Sequence, residues 1–180
     1  MNLTRRLVAV ASALALVGAL AGSTLAGGAR HASATFIDAA GAPIGWARLV
    51  EDGTGIVHVS IHVKGLAPGR HGVHIHGVGA CSPTFAAAGG HYNPLGLEHG
   101  LDNPNGPHAG DLPNLVVNEN GNGRLNAKTD RVTLTAGLAT LFDADGSAII
   151  IHANPDDQVT NIGNGGSGAR IACAVIVPGR

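Results

Sequence analysis

Aromatic residues are scarce in this sequence, and so are cysteine and methionine. The 180 residues include one Trp, one Tyr, three Phe, two Cys and one Met. A hydrophobic core must therefore be built from Val, Ile, Leu and Ala. Lysine and arginine are also few, with eleven in all, and they form no run along the chain. We therefore expect no nucleic-acid partner, because nucleic-acid binding requires concentrated positive charge.

Charge and hydropathy divide the chain at about residue 34. All twelve Asp and Glu residues follow this position, but only eight of the eleven Lys and Arg residues do, so residues 35–180 carry a formal charge of −4. Residues 1–34 have the layout of a secretory signal peptide, with two arginines before a long uncharged run rich in Ala, Leu and Val. Cleavage is expected after Ala26 or Ala34.

The leader predicts an exported protein that is periplasmic, bound to the cell wall or extracellular. After its removal, residues 35–180 are expected to form one domain with no stable membrane association. The alternative is an uncleaved anchor, because the uncharged run is long enough to span a bilayer.

The two cysteines, Cys81 and Cys173, both lie in the part expected to be exported. In an oxidising compartment they most simply form one disulfide. It would close a loop of about 90 residues, worth ~4 kcal/mol in the chain-entropy model. Two buried free thiols are the alternative.

The hydrophobic pattern after the leader predicts short strands. Alternation is cleanest at 56–64, where His58 and His62 share the polar face and are interpreted as solvent-facing rather than metal-binding. Eight strands are predicted: 33–38, 43–51, 56–64, 71–76, 113–119, 123–129, 147–153 and 170–177. Between them, 77–111 and 154–169 are long loops of the kind that is usually functional in a compact domain. The pattern indicates an all-β antiparallel sandwich or flattened barrel.

The first candidate site is the His74-Ile75-His76 stretch. Residues two apart on a strand point to the same face, so His74 and His76 project together. Five more candidate ligands follow: His91, His99, His108, Asp111 and His152. Several imidazoles with one carboxylate suit a closed tetrahedral zinc site, and a stiff all-imidazole site suits copper. The pattern alone does not divide the ligands between two metals.

Five motifs occur in the order and spacing of one known family. They are His-Gly-Val-His-Ile-His-Gly at 71–77, Gly-His-Tyr-Asn-Pro at 90–94, His-Ala-Gly-Asp-Leu at 108–112, Ile-His-Ala at 151–153 with Asp156-Asp157, and Gly-Ala-Arg-Ile-Ala-Cys at 168–173. The sequence resembles the copper/zinc superoxide dismutases over essentially the whole of residues 35–180. This resemblance implies an eight-stranded Greek-key barrel with two functional loops. It also implies an oxidoreductase that converts two superoxide anions and two protons to dioxygen and hydrogen peroxide by copper redox cycling.

The resemblance also implies a role for each site residue. The expected copper ligands are His74, His76, His91 and His152, and the expected zinc ligands are His91, His99, His108 and Asp111. His91 would be shared between the metals and would deliver a proton to the forming peroxide. Asp156 resembles a carboxylate that hydrogen-bonds His74 and His99, with Asp157 the weaker choice, and Arg170 resembles an arginine that holds the anion beside copper. Zinc would be structural, Cys81–Cys173 would be the family disulfide, and His71 would be structural.

One departure from many relatives concerns electrostatic steering. Loop 153–169 contains no Lys or Arg, so the source of any attraction for superoxide beyond Arg170 stays open. The oligomeric state, monomer or homodimer, is open as well, since bacterial members differ in it.

Three other functions compete with the dismutase. A copper chaperone or metal-buffering domain would tend to lack copper ligands, whereas all four are present here with Arg170. A zinc hydrolase needs an open position, which Asp111 would close. An extracellular adhesion sandwich would leave the histidines unexplained.

Overall fold

The structure is a computed structural model that describes residues 30–162 and 164–179. The predicted cleavage site after Ala26 and the uncharged run before it lie outside the described residues, whereas Ala34 lies inside them. In the part of the chain that the structure describes, no helix is both long and apolar enough to cross a membrane.

The described chain is an antiparallel β-barrel, as the hydrophobic pattern predicts. Its strands are β1 (His31–Asp38), β2 (Pro43–Glu51), β3 (Val57–Lys64), β4 (Gly69–His76), β5 (Asp111–Val117), β6 (Asn122–Thr129), β7 (Ala148–His152), β8 (Arg170–Val175) and β9 (Val177–Pro178). The order around the sheet is β2-β3-β6-β5-β4-β7-β8-β1, and pairing of β1 with β2 closes it. The predicted eight-stranded barrel is confirmed, with β9 as a two-residue addition beside β1.

Aliphatic side chains fill the barrel, because alternate residues of each strand point inward. On β3, Val57, Val59, Ile61 and Val63 are buried, while the polar residues between them face outward. The largest fully buried side chains include only one aromatic residue, Phe36. The core therefore has the Val, Ile and Leu character that the scarcity of aromatic residues required.

Two long connections cover the outer face of β4 and β7. The first runs from Gly77 to Gly110 and contains a 3-10 helix at Phe85–Ala88; the second spans 153–169 and contains a short one at Asn164–Gly166. A disulfide joins Cys81 to Cys173, with Cα atoms 5.9 Å apart, and ties the first connection to β8. The predicted pairing of the two cysteines is thereby confirmed.

Candidate metal centre

Strand pairing brings three of the candidate histidines to one surface. β4 lies between β5 and β7, with Val73 opposite Ile151 in the antiparallel register. Val73 and Ile75 point into the core, so the rings of His74 and His76 project to the outer face, beside His152 at the end of β7. All three histidine side chains are completely buried beneath the two long connections.

Four ring nitrogens converge beneath the connections. His74, His76, His91 and His152 each offer a ligand atom within 4.8 Å of the others. His74 Nδ1, His76 Nε2, His91 Nε2 and His152 Nε2 are buried and have no hydrogen-bond partner among the described residues. Buried polar atoms without partners are costly, so four of them in one place fit a ligand that accepts all four lone pairs.

The other ring nitrogen of each histidine faces an oxygen, which fixes its orientation. His74 Nε2 lies 2.7 Å from Asp156 Oδ2, and His91 Nδ1 lies 3.0 Å from Asp111 Oδ1. His76 Nδ1 and His152 Nδ1 lie 2.9 and 3.0 Å from the carbonyl oxygens of Gly89 and Gly168. An N–H donated to a carbonyl leaves a lone pair on the opposite nitrogen, which is the form that binds a metal ion.

A second group of ligand atoms surrounds Asp111. Its Oδ1 lies 3.0 Å from both His91 Nδ1 and His99 Nδ1 and 3.4 Å from His108 Nδ1. The Nδ1 atoms of His91 and His108 are 3.2 Å apart. His74 also lies within 4.8 Å of this group. However, its Nε2 is taken by Asp156 and its Nδ1 is among the four converging nitrogens, so His108 is the better fourth member.

The comparison with known sequences agrees with this geometry. The family model described as "Copper/zinc superoxide dismutase (SODC)" matches residues 44–176. The chain belongs to the copper/zinc superoxide dismutase family. Membership implies copper and zinc as cofactors, and both groups of side chains described above are able to bind a metal ion.

Individual relatives match over most of their length. A protein named superoxide dismutase [Cu-Zn] 2 from Aquifex aeolicus is 43% identical over 89% of this chain and 98% of its own. A superoxide dismutase [Cu-Zn] from Caulobacter vibrioides is 43% identical over 67% of this chain and 71% of its own. A crystal structure of a SOD-like protein from Bacillus subtilis superposes with a TM-score of 0.76 at 38% identity, covering 81% of this chain and 97% of that one. The antiparallel barrel is therefore shared with this SOD-like structure.

Asp156 contacts both groups of this dismutase-family site. In addition to the contact of its Oδ2 with His74, its Oδ1 lies 3.1 Å from His99 Nε2. The same Oδ1 accepts a hydrogen bond from the amide of Gln158. Asp157 is exposed and accepts only from the amides of Val159 and Thr160. The structure therefore places Asp156 at the position predicted for a bridging carboxylate and Asp157 outside the site.

Three positions that support the site were not singled out from the sequence. The side chain of Asn114 donates to the carbonyl of Asp156 and accepts from its amide, both at 2.8 Å. Gly165 has a φ of 59°, and a Cβ there would collide with Asp156 Oδ1. Arg131 donates from Nη2 to the carbonyl of Asp111 at 2.8 Å. No local signal marks them, because β5 contains Asp111 as well as Asn114 and a polar residue in that strand is not distinctive.

Burial and hydrogen bonding set the protonation of the site residues. Burial lowers the pKa of His74 to about 3, of His76 to about 2 and of His152 to about 4, so these rings are neutral at neutral pH. Burial also lowers the pKa of His91. His99 is the exception: burial opposes its charge, but Asp111 and Asp156 outweigh burial and raise its pKa to about 9. Hydrogen bonds from the surrounding rings hold the pKa of Asp111 well below its usual range despite burial.

Arg170 lies beside the four-nitrogen group. Its guanidinium donates to the carbonyls of Phe85 and Gly89 at 2.6 Å each, and the Gly89 carbonyl also faces His76 Nδ1. Part of the side chain lines an open cavity of about 570 Å³ beside the disulfide loop. The arginine is thus fixed in place next to a candidate ligand while one side stays accessible.

Three further histidines singled out from the sequence, His58, His62 and His71, lie outside both groups. His71 is buried, with its ring nitrogens 2.8 Å from the carbonyl oxygen of His152 and 2.9 Å from that of Ala67. His58 contacts Asp52 and His62 stacks on Trp46, both on the outward face of β3. These placements agree with the structural role predicted for His71 and the solvent-facing position predicted for the other two.

Proposed function

We propose that this protein is a copper/zinc superoxide dismutase that converts two superoxide anions and two protons to dioxygen and hydrogen peroxide. The observation that supports it most strongly is the set of four buried, unpartnered imidazole nitrogens next to a fixed arginine. Copper held there would supply one-electron redox chemistry for superoxide, and zinc would be structural.

The proposed copper ligands are His74, His76, His91 and His152, and the proposed zinc ligands are His91, His99, His108 and Asp111. The unpartnered nitrogens support the first set, and the short separations around Asp111 Oδ1 support the second. His91 belongs to both, since its Nε2 faces the first group and its Nδ1 the second. A ring held between two cations loses its remaining proton easily.

The chain's own residues bind the anion and handle one proton. Arg170 keeps its charge, and its hydrogen bonds to two carbonyls prevent it from swinging away from the site. A fixed guanidinium attracts and orients a small anion by charge and hydrogen bonding. His91 Nε2 is the atom proposed to carry a proton to the forming peroxide, because it is the ring position that faces the same group of nitrogens.

We also propose that the protein is exported and loses a signal peptide, with no stable membrane association or nucleic-acid partner, as a monomer or homodimer. Cleavage after Ala26 is better supported than cleavage after Ala34. β1 begins at His31, and Ala32 and Ala34 are buried in the core. The disulfide supports export as well, since disulfides persist in oxidising compartments.

The deciding experiment measures superoxide removal by the purified protein loaded with copper and zinc, with metal counted in the same sample. Parallel samples carry His152→Ala, which removes a proposed copper ligand, or His62→Ala, which removes a histidine far from both groups. Fast removal that collapses only in His152→Ala supports the enzyme. A parent that holds one copper and one zinc but removes superoxide no faster than buffer leaves a metal-storage domain instead.

A further inference from the structure

The outward face of β2, β3 and β6 concentrates positive charge that the linear sequence disperses. Strand register places His62 between Trp46 and Arg124, and His58 between Val50 and Lys128. Five of the eight Lys and Arg residues after position 34 lie on this face or on the adjoining end of β4: Arg48, Lys64, Arg70, Arg124 and Lys128. We call these five side chains the basic face.

Among the described residues, no carboxylate pairs with the five side chains of the basic face; Asp52, which follows β2, contacts His58 on this face instead. The outward positions of β2, β3 and β6 include no Asp or Glu, because Glu51 is turned inward and buried. Among the described residues, none of the five cations donates a hydrogen bond or pairs with a carboxylate, whereas Arg131 and Arg170 both bind carbonyls. Unpaired like charges repel one another, so a face of this kind favours an anionic partner.

A groove crosses this face beside an aromatic side chain. It has a volume of about 800 Å³ and is lined by Trp46, His62, Lys64 and Arg124, together with the amide side chains of Asn118 and Asn122. Trp46 is 47% exposed and is held in place by His62, with ring centroids 4.4 Å apart. A second groove of about 580 Å³, which includes Arg48, begins on the other side of Trp46.

We infer that this groove binds an anionic polysaccharide, a chain of sugar rings that carry carboxylate groups. An immobilised indole offers a flat apolar surface to the C–H face of a sugar ring. The amides can bind hydroxyl groups, and Lys64 and Arg124 can bind carboxylates. A membrane surface is less suited, because Trp46 lies against His62 rather than projecting, and duplex DNA offers no exposed ring face to it.

The position of the groove is compatible with an active metal centre. In the ring of eight strands, β3 stands opposite β7, so the groove and the four basic residues on β2, β3 and β6 lie on the opposite side of the barrel from the histidine groups. Arg70, on the far end of β4, is the exception. A polysaccharide bound to the basic face would hold the protein with its metal side directed to solution. The inference does not depend on the proposed enzymatic activity.

The test measures binding of the purified full chain to polygalacturonate, with uncharged dextran as the reference polymer. Lys64→Gln with Arg124→Gln is expected to weaken binding about tenfold, since two surface charge contacts are lost. Trp46→Ala is expected to weaken binding by a larger factor at high salt than at low salt, because salt screens charge attraction but not ring stacking. Ala136→Glu with Leu138→Glu gives the same net charge on an exposed loop away from the groove and is expected to leave binding within about twofold.

Four results would overturn the inference. They are no binding to polygalacturonate at low salt, equal losses in the groove pair and the loop pair, tighter binding to phosphatidylglycerol vesicles, and tighter binding to duplex DNA. Thermal unfolding of each variant separates a lost contact from a lost fold. The groove variants should also remove superoxide at the parent's rate if the parent is active, because Trp46, Lys64 and Arg124 contact neither of the two groups of candidate ligands.

Discussion

At the scale of single residues, Asp156 is the carboxylate that contacts members of both groups. Its two oxygens face His74 Nε2 and His99 Nε2, and Asn114 fixes its backbone from both sides. Asp156→Asn replaces one acceptor oxygen with a donor and removes the negative charge. We expect metal affinity to fall by about 10- to 100-fold, as is typical when a ligand's outer partner is lost.

Competition with a calibrated chelator measures this loss. Asp157→Asn is the matched control, because it makes the same chemical change one residue along, at an exposed side chain that contacts no histidine. Equal affinity in the two variants would show that Asp156 does not hold the ligands.

The buried histidines predict how the metal-free protein responds to acid and base. Burial lowers the pKa of His74, His76 and His152 in the folded protein below the ordinary value of 6.5. Their contribution to the free energy of unfolding is therefore fully present above pH 6.5 and is lost as the pH falls towards the folded-state pKa values. The pKa of His99 is raised to about 9, so its contribution is full below 6.5 and is lost as pH rises through 9. Each group can change the unfolding free energy by up to about 1.4 kcal/mol per pH unit.

Four rings with lowered pKa values, those of His74, His76, His91 and His152, act on the acid side, and His99 acts on the alkaline side. The unfolding free energy of the metal-free chain should therefore peak near pH 6.5 and fall more steeply towards pH 4 than towards pH 9. Urea unfolding in the presence of a chelator at pH 4.5, 6.5 and 9 gives the curve. A maximum at pH 9 or a flat profile would contradict the assignment of neutral buried rings.

The residues of the site differ in how far local sequence can predict them. The two-residue spacing of a strand is enough to place His74 and His76 on one face. No local rule brings His91 or His99 to them, because their positions depend on the path of an irregular connection, and only the family resemblance supplied it. Asn114 and Gly165 had no usable signal, since their role is a contact with Asp156 that lies 42 residues from Asn114 in sequence.

At the scale of elements, the first half of β1 decides where the mature protein can begin. His31 to Ala34 pair with Val50 to Ala47 of β2, and Gly179 donates to the carbonyl of His31. A chain that starts at residue 35 loses these pairings and the buried methyl groups of Ala32 and Ala34. We expect it to be less stable than a chain starting at Gly27 by about 2 kcal/mol or more.

Thermal unfolding of the two chains under identical metal loading tests this expectation, with a difference of about 4–8 °C in the midpoint. The intact mass of the exported protein gives the natural start. A mature protein that begins at Thr35, with unchanged stability, would show that this half-strand is dispensable.

Most strands could be predicted because alternation is strong where one face is buried and the other is wet. Boundary errors of two residues occur at the starts of β1, β4 and β5. At β5 the rule itself weakens, because Asp111 is a polar residue that is completely buried. The predicted strand 170–177 is divided into β8 and β9, since the chain leaves β7 after Val175 and passes to the edge of β1. The pairing of β1 with β2 that closes the barrel could not be predicted, because alternation within a strand does not identify the strand beside it.

At the scale of the whole molecule, charge is unevenly distributed. Four of the five residues of the basic face lie opposite the histidine groups, while loop 153–169 near those groups has no Lys or Arg and carries Asp156 and Asp157. The formal charge of −4 on residues 35–180 therefore repels an approaching superoxide at long range, and attraction is confined to the neighbourhood of Arg170 and of any bound metal ions. We expect the second-order rate constant for superoxide to stay level or rise as salt is added, because salt screens long-range repulsion more than contact attraction.

Pulse generation of superoxide between about 10 and 150 mM salt measures this trend, a range over which the screening length shortens several-fold. Asp157→Lys supplies a control, since it places a cation in the loop and should raise the rate at low salt only. A rate that falls steeply with salt in the parent would mean that attraction comes from residues other than those considered above.

His91 and Asp156 each contact both groups of ligands, and this double membership couples two binding equilibria. An ion in one group orients a ring and a carboxylate that the other group also uses. Thermodynamic reciprocity then requires zinc to change the affinity for copper by the same factor by which copper changes the affinity for zinc. The order in which the two metals arrive alters the route of loading, but the total free energy of the loaded protein is the same.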